Sequence, residues 1–167
     1  MRILDVKLKH NVWRYVFQSS LAALTILCVL IFLGVLKHTA IIASLGATLF
    51  IVFTTPRAYS SHPRPLIGGY LVGIASGVFC NFISESLLIL NVSPNKEISY
   101  IIFGALAAGI AIFIMTITDT EHPPAAGIAL GLVLNEWDHN TLIFILTAVV
   151  LLFIVKSLLR RVLIDIR

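Results

Sequence analysis

The sequence predicts an all-α fold, a polytopic transmembrane helical bundle of about six segments. Of the 167 residues, 59% are hydrophobic and only 12% are charged, and the mean hydropathy is +1.01. Soluble domains carry roughly a quarter charged residues, so these values indicate a chain that folds in lipid. Its apolar runs leave almost no room for a separate soluble domain. We therefore expect a single transmembrane domain over residues 1–167.

Four apolar runs approach or exceed the roughly 20 residues that span a bilayer. They are Phe17–Leu36, Pro65–Leu90, Ile98–Thr118 and Leu142–Leu159. The first follows a basic N-terminus, as the apolar region of a signal peptide does. It is about 20 residues long and ends without a small-residue cleavage site, so we expect a retained helix.

Two further runs are short, and the distribution of charge indicates whether they cross. Thr39–Thr55 reaches about 25 Å and Pro123–Leu134 only about 18 Å at the rise of a helix. A re-entrant second run divides the basic residues evenly between the two sides. Six crossings place all of them except Lys37 and Lys96 on one side, as the positive-inside rule requires. The residues on that side are Arg2, Lys7, Lys9, Arg14, Arg57, Arg64, Lys156, Arg160, Arg161 and Arg167. We therefore predict six segments in the plasma (inner) membrane, with both termini in the cytoplasm.

The middle of the chain contains a tandem repeat. A shift of 60 residues aligns the His-Pro pair at 62–63 with the pair at 122–123, together with part of the preceding helix pattern. Each unit, about 39–91 and 98–135, is a helix, a polar turn and a returning helix. Both units run in the same direction, so the repeat is parallel, and repeats of this kind place transport sites where the units meet.

Small residues four positions apart predict close helix packing in lipid. Gly69, Gly73 and Gly77 form one such face. The other two are formed by Ala105 with Gly109 and by Gly127 with Gly131. Cys28 and Cys80 lie in apolar runs, and we expect both to be small buried hydrophobic residues.

The two His-Pro turns hold the polar residues that could carry chemistry. A proline opens each returning helix, and the N-terminus of a helix offers free N–H groups and a partial positive charge. This pattern predicts an anion site, reinforced by basic and hydroxyl side chains. The predicted site residues are Arg57, Ser60, Ser61, His62, Arg64, Thr118, Asp119, Thr120 and His122.

Alternatives remain for these turns. The histidines can instead satisfy buried carbonyls, and Asp119 or Thr120 can cap a helix. Asp119 and Glu121 can pair with the arginines, hold His122 protonated or carry a proton. Nothing in the sequence fixes the geometry of a metal site, so we predict no metal and no cofactor. Glu85 is a further candidate within a membrane segment, but its position near the outer end also allows contact with water.

Enzyme motifs are absent from the sequence. It contains no Walker loop, no GxGxxG, no His-Glu-x-x-His, no GxSxG and no CxxC. The basic residues lie at the ends and in loops rather than on one face, so we do not expect nucleic acid as a partner. The expected partners are the lipid bilayer and a small anion, and we expect the protein not to be an enzyme.

The second turn resembles the signature of the HPP family of integral membrane proteins. The residues that carry the resemblance are Thr118-x-Thr120-x-His122-Pro123-Pro124-Ala125-Ala126-Gly127-x-Ala129-Leu130. The stretch from Gly46-Ala47 to Pro63-Arg64 and Gly68-Gly69 is similar to the family's other motif, and together the likeness runs from about residue 15 to 160. This chain departs from that motif at His62, where the family has Gln, and at Tyr70, where it has His.

The resemblance implies a membrane protein of the kind that, in some plant-plastid and cyanobacterial members, is associated with nitrite transport. Nitrite is a small monovalent anion, which agrees with the site predicted from the helix ends. The leading hypothesis is therefore transport of a small inorganic anion, nitrite first. The alternative is a non-transport assembly or regulatory module with structural His-Pro turns. Because one protomer offers little protein to surround a polar path, we also expect a homo-oligomer, a dimer or trimer.

Overall fold

A computed structural model describes residues 8–33, 39–90 and 95–166. This part of the chain contains no strand and consists of six α-helices and one short 3₁₀ turn. The predicted all-α bundle is thereby confirmed. In chain order the helices are α1 (Leu8–Leu33), α2 (Thr39–Thr54), α3 (Pro63–Ile89), α4 (Lys96–Ile117), α5 (Pro123–Leu134) and α6 (His139–Leu159), with the 3₁₀ turn at Tyr59–Ser61.

The helices follow the apolar runs closely except at the start of α1, which begins at Leu8 and not at the predicted Phe17. The polar residues before Phe17 continue the helix, and an apolar count does not include them. Within the described residues, α3, α4 and α6 are long and apolar enough to cross a membrane. α2 and α5 are short, as predicted, with 16 and 12 residues. The predicted end of the first run, at Leu36, lies outside the described residues.

Local sequence explains where the helices begin. The Asn95 side chain caps α4 by accepting the backbone N–H groups of Glu97 and Ile98, at 3.0 and 3.2 Å. Asp138 and Thr141 form a reciprocal capping box at the start of α6. The hydrogen bonds from the Thr141 side chain and backbone lower the pKa of Asp138. α3 and α5 each begin with a proline that follows a histidine.

α5 lies at the centre of the bundle. It packs against α2, α3 and α4, while α6 contacts α2 and α3, and α1 contacts α2 and α6. The glycine face predicted on α3 meets α5: a Cβ added at Gly73 would stand 2.3 Å from the carbonyl oxygen of Ala125, and one at Gly77 2.8 Å from that of Ala129. The predicted face is confirmed, since these backbones approach too closely for any side chain.

The other two small-residue pairs differ in outcome. Gly127 and Gly131 of α5 face α2, with Ser44 Oγ 2.4 Å and Ala40 Cβ 3.2 Å from the added Cβ atoms. A Cβ at Gly109 would meet nothing within 4 Å. Ala105 and Gly109 are both exposed on α4, so this pair packs against no helix of the described chain.

One end of the bundle gathers the start of α1, the end of α2 and the segment 160–166, which we call the C-terminal tail. The backbone N–H of Ile166 donates to the carbonyl of Thr54 at 3.1 Å, and the Tyr15 hydroxyl donates to the carbonyl of Ile166. The backbone N–H of Arg57 donates to Asp165 at 3.1 Å. The tail therefore fastens α1 and α2 together beside the first His-Pro turn.

Candidate functional site

The two His-Pro turns, residues 55–62 and 118–122, contact each other. Arg64 Nη2 donates to the carbonyl of Thr118 at 2.9 Å, and its Nη1 lies 3.7 Å from the Asp119 carboxylate. The Tyr59 hydroxyl donates to the carbonyl of Asp119 at 2.5 Å. Equivalent turns of the repeat therefore meet at one end of the bundle, beside the C-terminal tail.

His122 joins the second turn to the first from inside. Its side chain is 0% exposed. Nδ1 lies 2.9 Å from the carbonyl oxygen of Ser60, and Nε2 lies 2.9 Å from the hydroxyl oxygen of Thr48. A carbonyl oxygen can only accept, so Nδ1 carries the proton, and in the neutral ring Nε2 accepts from Thr48.

This arrangement extends into α3. Tyr70 is fully buried, and its hydroxyl lies 2.7 Å from that of Thr48. Because the Thr48 proton is directed at His122, Tyr70 donates to Thr48. The result is a buried chain of hydrogen bonds that runs from Tyr70 through Thr48 and His122 to the Ser60 carbonyl, and every member has a partner. We call it the His122 chain.

Burial sets the charge of His122. It lies in the turn between α4 and α5, outside both helices, and desolvation lowers its pKa to about 4, while the hydrogen bond to Ser60 acts in the opposite direction. The imidazole is therefore neutral at pH 7. The alternative in which Asp119 and Glu121 hold His122 protonated is therefore not supported. Both carboxylates are exposed, so water screens their charges. The His122 ring is buried, so desolvation decides its charge.

His62 occupies the equivalent position in the first turn but has a different environment. It is exposed, and its side chain forms no capping hydrogen bond to α3. Its carbonyl accepts the N–H of Leu66 at 3.0 Å. The two histidines thus share a place in the backbone pattern and differ in burial and bonding.

A cavity of about 330 Å³ lies beside the second turn. Glu121, His122 and Pro123 line it together with residues of α4, among them Met115 and Thr116. None of its lining residues comes from the first turn, so this cavity does not join the two histidines.

The start of α5 offers few free N–H groups. Pro123 and Pro124 have none, and the N–H of Ala125 already donates to the carbonyl of His122 at 2.9 Å. In α3 the prolines at 63 and 65 remove two more. The expected supply of free N–H groups is therefore wrong for α5. Any attraction for an anion at these ends comes from the helix dipoles and the basic side chains.

The remaining predicted site residues divide into linkers and exposed groups. Ser61 is buried; its hydroxyl donates to Thr55 at 2.9 Å, and its carbonyl accepts from Lys156 of α6. The Thr118 and Thr120 hydroxyls bond each other at 2.8 Å. Ser60 contributes its backbone carbonyl, which accepts the hydrogen bond from His122. Arg57, His62 and Arg64 point outward as exposed residues.

Asp119 ends α4 in a left-handed conformation, with φ of 58°. The N–H of Thr120 reaches back to the carbonyl of Met115 at 2.9 Å. This bond closes the helix in the manner of a Schellman motif, in which aspartate replaces the usual glycine. The turn is therefore sharp, which brings Thr120 against Gly68: a Cβ added there would stand 2.7 Å from the Thr120 methyl group.

Four residues of this region were not among the predicted site residues: Thr48, Tyr59, Tyr70 and Lys156. Thr48 and Tyr70 are polar groups inside apolar runs, which is itself a signal of a buried partner.

Glu85 lies far along α3 from this site, and it accepts the Tyr100 hydroxyl at 2.5 Å. Cys80 is buried as expected, whereas Cys28 is exposed on α1. Among the residues described by the structure, no group of three or more His, Cys, Asp or Glu could hold a metal ion.

Comparison with known families identifies the chain. The family model described as HPP, transmembrane region, matches residues 7–165. The chain belongs to the HPP transmembrane family. The match covers nearly the whole sequence, including both His-Pro turns and all the described helices. Family membership and the three helices that are long and apolar enough to cross a bilayer identify this HPP protein as a membrane protein. No curated protein and no solved structure matches it.

Proposed function

We propose that this HPP protein transports a small inorganic anion across the membrane, at the surface where the two His-Pro turns meet. The observation that carries the proposal is the junction where the start of α3 packs against residues 120 and 122 before α5. There the exposed guanidinium of Arg64 donates to the Thr118 carbonyl at the C-terminal end of α4. Each N-terminal helix end contributes roughly half a positive charge. The two N-terminal ends and the arginine favour an anion, and the C-terminal end of α4 and the Asp119 carboxylate at the same junction act against it.

Arg64 is the group most suited to exchange partners. Its contact with Asp119 is an exposed ion pair at 3.7 Å, and such pairs contribute only about 0–1 kcal/mol to stability. An arriving anion can therefore replace the carboxylate at low cost. Arg57 and His62 are exposed in the first turn and add donors. The hydroxyl protons of Thr118 and Thr120 are already directed at the Ile114 carbonyl and at Thr118.

The buried histidine has a different role in this proposal. Both ring nitrogens of His122 are already bonded, to Ser60 and Thr48. His122 therefore positions the first turn against the second and does not itself hold the anion. Nitrite is the first substrate to test because some members of the family are associated with nitrite transport.

The test is anion flux into proteoliposomes, with nitrite, nitrate, formate and chloride compared. Hydrogen bonds to charged groups contribute about 1.5–3 kcal/mol, so we expect Arg64→Ala to weaken anion uptake tenfold or more. Its thermal stability should stay close to that of the unmodified protein, because the pair is exposed. Arg160→Ala is the matched control, since Arg160 is also exposed and basic but lies in the C-terminal tail. Light scattering on the purified protein, before it is placed in liposomes, should show the proposed dimer or trimer.

A non-transport assembly or regulatory module is the second candidate. The complete bonding of the His122 chain favours it, because turns that serve only as scaffold need satisfied buried groups and nothing more. Absence of flux for every anion, with both variants folded, would support this candidate and contradict transport. Equal flux in Arg64→Ala and in the unmodified protein would remove Arg64 from the site.

A further inference from the structure

A cleft lies at the end of the bundle between α1, α2 and the C-terminal tail, separate from the junction of the two turns. It consists of two cavities that share Gln18 as a lining residue. One, of about 320 Å³, is mainly apolar and is lined by α1 and α2, with Ala22, Ile26, Leu49 and Phe50 among its residues. The other, of about 470 Å³, lies between the start of α1 and the tail.

Gln18 is an unusual residue at this place. It is 2% exposed, and its amide nitrogen donates to the carbonyls of Phe53 at 2.8 Å and Ile164 at 3.0 Å. Both partners can only accept, so they fix which end of the amide is nitrogen. The amide oxygen is buried and has no hydrogen-bond partner among the described residues. A buried acceptor of this kind costs about 1–3 kcal/mol when it stays unpaired, and a donor from a bound molecule would satisfy it.

The charges around the second cavity indicate which molecule fits. Arg14 of α1 and Arg161 of the tail both line it, and none of its lining residues is acidic. Asp165 of the tail does not line this cavity, and it accepts the backbone N–H of Arg57. Trp13 also lines this cavity and is 78% exposed, as is typical of a side chain at the level of lipid headgroups.

We propose that this cleft binds a phospholipid with an anionic, hydroxyl-bearing headgroup of the phosphatidylglycerol type. The phosphate lies between Arg14 and Arg161, whose planar guanidinium groups suit phosphate oxygens. One acyl chain follows the apolar cavity between α1 and α2. A headgroup hydroxyl donates to the amide oxygen of Gln18. The lipid would thereby connect α1 to the C-terminal tail.

This lipid requires an apolar cavity, two positive charges beside it and an unpaired hydrogen-bond acceptor, and the cleft has all three. A free phosphate ion needs no apolar cavity next to the arginines, and a zwitterionic lipid gains less than an anionic one from two arginines that line the same cavity. A phospholipid without a headgroup hydroxyl leaves the Gln18 oxygen unpaired. The inference does not depend on transport, because Arg14, Gln18 and Arg161 belong to neither turn.

The experiment measures lipid binding to the purified full chain by native mass spectrometry. The probes are dioleoylphosphatidylglycerol, dioleoylphosphatidylcholine, dioleoylphosphatidylmethanol and inorganic phosphate. Phosphatidylmethanol has the same charge as phosphatidylglycerol and lacks the headgroup hydroxyls. The double variant Arg14→Gln/Arg161→Gln tests the charges, and Arg160→Gln is the matched control, since Arg160 is an exposed neighbour that does not line the cavity.

We expect phosphatidylglycerol to bind more tightly than the other three probes. Each basic residue near an anionic headgroup contributes about 1 kcal/mol, so the double variant should bind it roughly thirtyfold more weakly, and Arg160→Gln should bind it normally. Melting midpoints without added lipid should agree among the three proteins, because both replaced side chains are exposed.

Four results would overturn the proposal. They are equal binding of phosphatidylglycerol and phosphatidylcholine, unchanged binding in the double variant, an equal loss in Arg160→Gln, and displacement of the lipid by inorganic phosphate at comparable concentration. Equal binding of phosphatidylmethanol would overturn the assignment of the headgroup to Gln18.

Discussion

His122 shows how a single buried residue can fix the relation between two turns. Its ring has a donor partner on one side, Thr48, and an acceptor partner on the other, Ser60, so only the neutral ring with its proton on Nδ1 satisfies both. Protonation would force Nε2 to donate to Thr48 and would reverse the hydrogen bond to Tyr70. The His122 chain of hydrogen bonds therefore stabilises one protonation state and one tautomer of this histidine.

Stability should fall in mild acid because of this residue. Burial lowers the pKa of His122 to about 4, whereas a histidine in an unfolded chain has a pKa near 6.5. Between these values the unfolded chain binds more protons, so stability decreases as the pH falls from about 6.5 towards 4 and is fully present above that range. Melting midpoints in detergent from pH 4 to 8 measure this effect.

The matched variants are His122→Asn and His62→Asn. Loss of a buried partner costs about 1–3 kcal/mol, so His122→Asn should melt lower at pH 7 and show a flatter acid profile. His62→Asn should retain the profile of the unmodified protein, because its ring is exposed. A profile that is equally steep in His122→Asn would show that another group causes the acid effect.

The difference between the two histidines also marks a limit of prediction from sequence. Both precede a proline at the start of a returning helix, and that shared pattern indicates a repeat and two equivalent turns. Burial of His122 depends on Thr48, 74 residues earlier, and on Tyr70 in α3. Contacts this distant follow from packing, which the local pattern does not contain.

At the scale of the elements, the glycine face of α3 sets how closely α3 and α5 approach. Gly73 and Gly77 face carbonyl oxygens of α5 and leave no space for a methyl group. In a bilayer, helices associate through such close packing, because the lipid tails and the helix interface are equally apolar and no hydrophobic driving force brings the helices together. The short helix α5 is therefore held at the centre of the bundle by three neighbours.

Gly73→Ala and Gly109→Ala should have opposite effects on stability. The added methyl at position 73 would stand 2.3 Å from a backbone oxygen, which cannot turn away as a side chain does. Overpacking costs roughly 1–3 kcal/mol, so this variant should melt lower. At position 109 nothing lies within 4 Å, and alanine gains up to about 1 kcal/mol in helix propensity. Equal midpoints for the two variants in detergent would contradict this packing.

Helix boundaries were predictable where a proline or an apolar limit marks them. α5 begins and ends at the predicted residues, because Pro123 opens it and Asn135 follows its last apolar residue. α6 begins at His139 instead of the predicted Leu142. An apolar count excludes the polar first turn, whereas the Asp138 cap determines where the helix begins.

At the scale of the whole molecule, basic side chains concentrate at one end. Arg14 and Arg161 line one cleft, Arg64 bridges the two turns, and Lys156 bonds the first turn. Lys96 lies at the start of α4, over the ring of Tyr100, at the opposite end. The structure thus separates the described basic residues as the topological argument requires. Arg2, Lys7, Lys37 and Arg167, which that argument also counts, lie outside the described residues.

The orientation of the bundle remains a prediction, and it can be tested with two cysteines. We expect the end with the turns and the C-terminal tail to face the cytoplasm, because basic residues are retained on that side. With Cys28 and Cys80 replaced by alanine, Lys96→Cys and Arg160→Cys place one exposed thiol at each end of the bundle. In right-side-out vesicles, a membrane-impermeant maleimide should label Lys96→Cys and should label Arg160→Cys only after permeabilisation. The reverse pattern would place the tail outside, and labelling of both in intact vesicles would mean that the 12 residues of α5 do not complete a crossing.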